Sequence, residues 1–156
     1  MINQPEEASR VYDPGEFSQL FTWEVRRATR YQDFLSLCLL RPNHAGPPRP
    51  GFLNAMARRV VELLRSTDLV GIVDDTIAVL LVHTPYSDAT SIVERLRSQV
   101  ESQAFDVMSC EPLMATLSLG LAEFPSDATS EEVLFAHARA RLTEVWEAQR
   151  RSSGAS

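Results

Sequence analysis

Residues 65 to 81 read RSTDLVGIVDDTIAVLL, two apolar runs on either side of an acidic pair. Leu69 to Val73 and Thr76 to Val82 are dense in β-branched and aliphatic residues and lack helical spacing, which predicts two strands. Only Asp74 and Asp75 separate them, so the strands must join in a short antiparallel hairpin. The acidic turn is expected to project from the sheet edge.

The remaining segments alternate helix and strand. Phe17, Leu20, Phe21, Val25 and Ala28 form an apolar stripe that predicts a helix over Glu16 to Gln32. Phe34 to Leu40 predicts a buried strand, ended by RPNHAGPPRPG (Arg41 to Gly51), whose prolines and glycines argue against regular structure. A second helix is expected over Phe52 to Arg65, with Phe52, Met56, Val60 and Leu63/Leu64 facing inward, and a third over Ser87 to Gln103. Leu113 to Phe124 alternates Leu117, Leu119 and Leu121 on one side as a strand does, and Thr129 with Glu132 forms a capping-box pattern ahead of a last helix. Residues 1–15, with Pro5, Pro14 and Gly15, read as an arm or linker, 16–151 as one domain, and 152–156 as a disordered tail. The pattern is α+β: an antiparallel-containing sheet with helices packed on it.

Composition narrows the function. A net charge of −6 and a pI near 5.1 disfavour general nucleic-acid binding, because the phosphate backbone would be repelled. All 15 basic residues are arginine, which excludes lysine-based chemistry. Cys38 and Cys110 lack metal-ligand or disulfide spacing and fit a reducing cytoplasm. No apolar run approaches a membrane span, and the polar start MINQPEEASR carries no signal segment.

Five segments, taken in order, resemble GGDEF domains, the bacterial diguanylate cyclases that make cyclic di-GMP from two GTP. They are RRATRY (Arg26 to Tyr31), FLSLCLL (Phe34 to Leu40), STDLV, AVLL, and SLGLAEFPSDATSEEVL (Ser118 to Leu134). The resemblance spans about residues 16 to 150 and implies a ferredoxin-like, polymerase-palm type of sheet.

The same resemblance implies that the catalytic residues are altered. Such cyclases hold divalent cations with two carboxylates. The D-x-D pattern expected after the first strand falls on Arg41-Pro42-Asn43, and the five signature positions fall on Val73, Asp74, Asp75, Thr76 and Ile77, of which only Asp75 matches. The D-x-L-T-G-L segment has no counterpart in PEEASRVYDPG, and the F-K-x-x-N-D region is replaced by the proline-rich loop. In the last helix Arg139 replaces an Asp, Thr143 a Tyr, and Trp146 the phosphate-binding Lys, while Arg150 remains as a second phosphate contact. The resemblance therefore implies a degenerate domain without cyclase activity, metal or cofactor.

Arg65-Ser66-Thr67-Asp68 fits the R-x-x-D pattern of the family's inhibitory site for cyclic di-GMP, and Arg95 coincides with a further arginine of that pocket. A guanidinium can bond a guanine edge or a phosphate bidentately. The structural alternative is that Arg65 closes a helix and Asp68 caps a turn. His44, His83 and His137 read as surface residues, and Asp74, Asp75, Glu123 and Asp127 as solvated acids rather than a cation site. Trp23 and Trp146 read as core, or as a partner surface if exposed. The expected role is an inactive GGDEF-like signalling domain that acts as a cyclic di-GMP receptor or as an interaction scaffold. Its partners would be that nucleotide, an unidentified signalling protein or fused domain, or a second copy of the chain.

Overall fold

Asp13 opens the first long helix. Its carboxylate accepts from the Glu16 N–H at 2.8 Å, while the Glu16 side chain reaches back to the Asp13 N–H, and Pro14 supplies the fixed φ of a first turn. Helix α1 therefore runs Pro14–Tyr31, starting two residues before the apolar stripe suggests, and Gln32 ends it in the left-handed conformation at φ 55°. The computed structural model describes residues 10–43, 51–105 and 115–154. His44, Cys110, Leu113 and most of the proline-rich loop lie outside the described residues.

Strand β1 (Val11–Tyr12) precedes α1; β2 (Leu35–Asn43), α2 (Phe52–Glu62), β3 (Leu69–Val73), β4 (Thr76–Val82), α3 (Tyr86–Glu101), β5 (Thr116–Phe124) and α4 (Glu131–Gly154) follow. The sheet order is β1-β3-β4-β2-β5; β1 pairs parallel with β3 and every other pairing is antiparallel. Among the described residues the result is an α+β fold, the class expected, with four helices and a five-stranded sheet whose β1 the sequence reading did not include.

Strand period sorts the core onto two faces. Cys38, Leu40, Ile77, Val79, Leu81, Leu117 and Leu121 pack under α2 and α3. Leu35, Leu37, Leu39, Ala78, Leu80, Val82, Ala122 and Phe124 pack under α1 and α4. The hairpin sits where expected, with Leu80 and Val60 fully buried and both turn aspartates exposed. Asp74 takes φ 56°, a left-handed position that Asp tolerates better than most residues.

Several boundaries differ from the sequence reading. β2 continues through Arg41, Pro42 and Asn43, which pair with Ser118, Leu117 and Thr116. Its pairing with β4 stops at Leu40, so Pro42 lies where, among the described residues, the strand has one neighbour and its missing N–H is tolerated. Residues 11–15 are part of the fold rather than an arm. The α4 cap is Ser130, whose hydroxyl accepts from Val133 N–H, not Thr129. Helix α4 also runs on to Gly154 through residues expected to be disordered.

Candidate functional site

The candidate residues gather at two ends of the sheet, and the hairpin turn marks one of them. At this end β2 carries Arg41 and Asn43 on the same pleat face, toward the last third of α4. The Arg41 guanidinium carbon lies 4.1 Å from the centre of the Trp146 ring, and that of Arg150 lies 4.7 Å from the same centre. Asn43 ties strand to helix: its amide donates to Gln149 Oε1 at 2.8 Å and to Thr116, and its carbonyl oxygen accepts from Ser118 at 2.9 Å. From mid-helix, Arg139 reaches the Asp74 carboxylate of the turn at 3.4 Å.

Beside the turn, β1, the start of α1 and the outer face of α2 enclose a cleft of about 740 Å³. Its walls carry Arg10, Tyr12, Asp13, Asn54, Arg58 and Asp74. Sequence reasoning missed it because one wall, Arg10 to Pro14, comes from residues read as a linker. The Asp13-Pro14-Gly15-Glu16 capping signal was the clue available.

Arg65 and Asp68 occupy the opposite end. Helix α2 stops at Glu62, so Arg65 does not close a helix; it folds back across the turn into β3. Asp68 Oδ2 accepts from the Arg65 backbone N–H at 3.2 Å and from Nε at 3.1 Å, and Oδ1 accepts from Nη2 at 2.9 Å and from Val82 N–H at 3.3 Å. Arg65 Nη2 also donates to Val82 O and Thr84 Oγ1, both at 2.9 Å. The Asp68 side chain is 1% exposed and that of Arg65 52%. Hydrogen bonding to Asp68 raises the Arg65 pKa, keeping the guanidinium charged. Arg95 sits exposed on α3, and among the described residues no hydrogen bond or ion pair joins it to either partner.

The other candidates fall into structural roles. Glu123 is buried and caps α3 from outside by accepting Tyr86 N–H at 2.7 Å. Asp127 is paired with Arg141, whose hydrogen bonds hold its carboxyl below the ordinary value. His83 is exposed and contacts Asp33, and His137 shows no ligand-like grouping: among the described residues no three His, Cys, Asp or Glu side chains are arranged to hold a metal. Trp23 is 58% exposed and so is not core, because the α1 stripe that packs on the sheet is Phe17, Phe21, Val25 and Ala28. Trp146 is half-buried against its two arginines.

The sequence profile of the family described as diguanylate cyclase, GGDEF domain, matches residues 51–152, well over half of the chain. The chain belongs to the GGDEF family. No curated protein sequence matches it. Among solved structures, the GGDEF domain of YfiN (TpbB) from Pseudomonas aeruginosa is similar with a TM-score of 0.78 at 19% identity, over 89% of this chain and 92% of that one. The GGDEF domain of DgcB from Caulobacter crescentus, in complex with c-di-GMP, gives 0.68 at 17% identity over 94% of this chain and 86% of that one. The diguanylate cyclase SiaD of Pseudomonas aeruginosa, in complex with its activator SiaC, gives 0.72 at 21% identity over 90% and 57% respectively. At these identities the likeness concerns the fold.

Val73, Asp74, Asp75, Thr76 and Ile77, onto which the resemblance places the signature, span the hairpin: Val73 and Thr76 close the ladder as its last pair, and Ile77 is core. The donor set at this end does not fit a divalent cation. Arg41 stands at the strand position to which the resemblance assigns a carboxylate, and Asp74 already faces Arg139. No helix among the described residues is long and apolar enough to cross a membrane.

Proposed function

We propose that this GGDEF domain is a signalling module that does not cyclise GTP and acts by binding. The observation that carries this reading is Arg41, a cation held on the Trp146 ring at the strand end where the family resemblance requires a metal-binding carboxylate. The Val73-Asp74 pair supports it, since bulk and negative charge stand in place of two glycines that let a nucleotide approach the backbone. Incubating purified protein with GTP and magnesium or manganese should yield no cyclic di-GMP by chromatography. Metal-dependent product above a no-protein blank would refute the reading.

The bound ligand in this proposal is cyclic di-GMP, taken at the Arg65 end with Arg95 as a further contact. The half-exposed Arg65 guanidinium favours it, because Asp68 orients that group while leaving Nη1 without a partner among the described residues. Asp68, with both oxygens occupied, acts as the positioning residue rather than a direct contact. Calorimetric titration with cyclic di-GMP, with GTP as control, should show binding that Arg65→Ala weakens by about 1.5–3 kcal/mol. Binding indifferent to Arg65 and Arg95 would refute this reading and favour the scaffold reading, which the exposed Trp23 and Tyr31 on α1 support.

A further inference from the structure

We propose that the outward face of the C-terminal half of α1 docks a helix of another protein, one carrying carboxylates four residues apart beside an apolar side chain. At about 3.6 residues per turn, Trp23, Arg26, Arg30 and Tyr31 fall within one half of the helix, on the side away from the Phe17, Phe21, Val25 and Ala28 stripe. Trp23 is 58% exposed and Tyr31 67%. Arg26 and Arg30 are exposed too, and among the described residues neither makes a hydrogen bond or an ion pair, while no cation stacks on Trp23. Other arginines find partners: Arg27, Arg97 and Arg141 pair with acids, and Arg41, Arg59 and Arg150 stack on rings. The chain has a net charge of −6, yet no acid among the described residues is set against Arg26 or Arg30.

The helix dipole favours a cation near the end of α1, which accounts for Arg30 but not for an indole and a phenol ring left in water beside it. Trp, Tyr and Arg are the side chains that dominate protein interfaces. Their spacing names the partner's shape. Arg26 and Arg30 make one row at i, i+4, and Trp23, Arg27 and Tyr31 make the next, the ridges into which a second helix packs. Like charges at i, i+4 repel, and carboxylates at the same spacing on the partner relieve that repulsion. A second copy fits worse, because a two-fold contact through this face sets arginines against arginines. An anionic membrane fits worse as well, since the net charge of −6 is repelled at long range.

The inference rests on the reading that the domain acts by binding, and not on its nucleotide ligand. The probe is a labelled synthetic helical peptide with two Glu four residues apart beside a Leu, set against the same peptide with Gln at both positions. Fluorescence anisotropy with the intact protein should show saturable binding of the Glu peptide that weakens as sodium chloride is added. Trp23→Ala should weaken it by at least about tenfold, and Arg26→Gln and Arg30→Gln by about threefold or more each. Arg151→Gln, an exposed arginine on α4, should leave it unchanged. In a Trp146→Phe background the remaining indole is Trp23, and its emission should move to the blue along the same isotherm.

No saturation at millimolar peptide, equal binding of the Gln peptide, or an equal loss with Arg151→Gln would overturn the surface. So would sedimentation showing a dimer that Trp23→Ala disperses, which assigns the face to a second copy, or binding to phosphatidylglycerol vesicles in place of the peptide, which assigns it to lipid. Peptide binding by a protein that takes up no cyclic di-GMP would refute the nucleotide reading and leave this surface standing. Nucleotide binding without peptide binding would do the reverse.

Discussion

Replacing Asp68 by alanine separates a structural strut from a solvated ion pair. The carboxylate is 1% exposed and accepts four hydrogen bonds, two of them from backbone N–H groups of Arg65 and Val82. The guanidinium of Arg65 is half exposed, so on losing its partner it rehydrates and contributes little to the loss. The Val82 N–H belongs to a buried residue and cannot do the same; an unsatisfied buried donor costs about 1–3 kcal/mol. Adding a smaller share for the Arg65 N–H and the side-chain bonds, Asp68→Ala should destabilise the domain by about 2–4 kcal/mol. For a chain of this size that lowers Tm by about 5–12 °C.

Urea unfolding followed by far-ultraviolet circular dichroism measures the effect as a shift in midpoint at constant slope. Asp75→Ala, at the exposed turn, is the control and should stay within about 0.5 kcal/mol of wild type. A double-mutant cycle with Arg65→Ala should return a coupling below about 1 kcal/mol. If Asp68→Ala shifts the midpoint no more than Asp75→Ala, the pair is solvated and the argument from burial fails.

Gly120 lies where β5 meets α4; a Cβ there would sit 2.1 Å from Ala138 O and 2.5 Å from Leu142 N, both backbone, so Gly120→Ala should cost about 3 kcal/mol or more in urea unfolding. Leu80→Ala, at a fully buried position, should cost about 2–5 kcal/mol, whereas Asp74→Asn should change stability by less than about 0.5 kcal/mol, since Asn also tolerates the left-handed turn. Arg141 holds the Asp127 carboxyl below the ordinary 3.8, so this group's contribution is present above that value and is lost as pH falls through the lower folded one. Thermal melts should show Asp127→Asn flattening the stability decline below about pH 4, and an unchanged acid limb would refute the assignment.

The hairpin, the strands and the order of elements were legible because each rests on a local pattern. Leu69 to Val82 has strand composition around a two-residue turn, and the α1 stripe repeats at helical spacing, so near neighbours alone specify these elements. Boundaries were less legible where two local signals compete. Pro42 argues against a strand, yet β5 pairs with Arg41, Pro42 and Asn43, and the β4 pairing on the other side has ended at Leu40. Ser130 rather than Thr129 caps α4, a choice between adjacent hydroxyls that the periodicity does not resolve.

By itself the sequence determined the fold class and the placement of the hairpin, since those follow from residue type and spacing along one chain. Only the tertiary structure decided what the candidate residues do, because side-chain roles depend on partners distant in sequence. Asp68 became a buried acceptor through Val82, and Glu123 became the cap of α3 through Tyr86. Arg41 met Trp146 and Arg150 across the gap between β2 and α4, more than a hundred residues along the chain. Packing of helix on sheet brings such groups together, and no local propensity encodes which of them will meet.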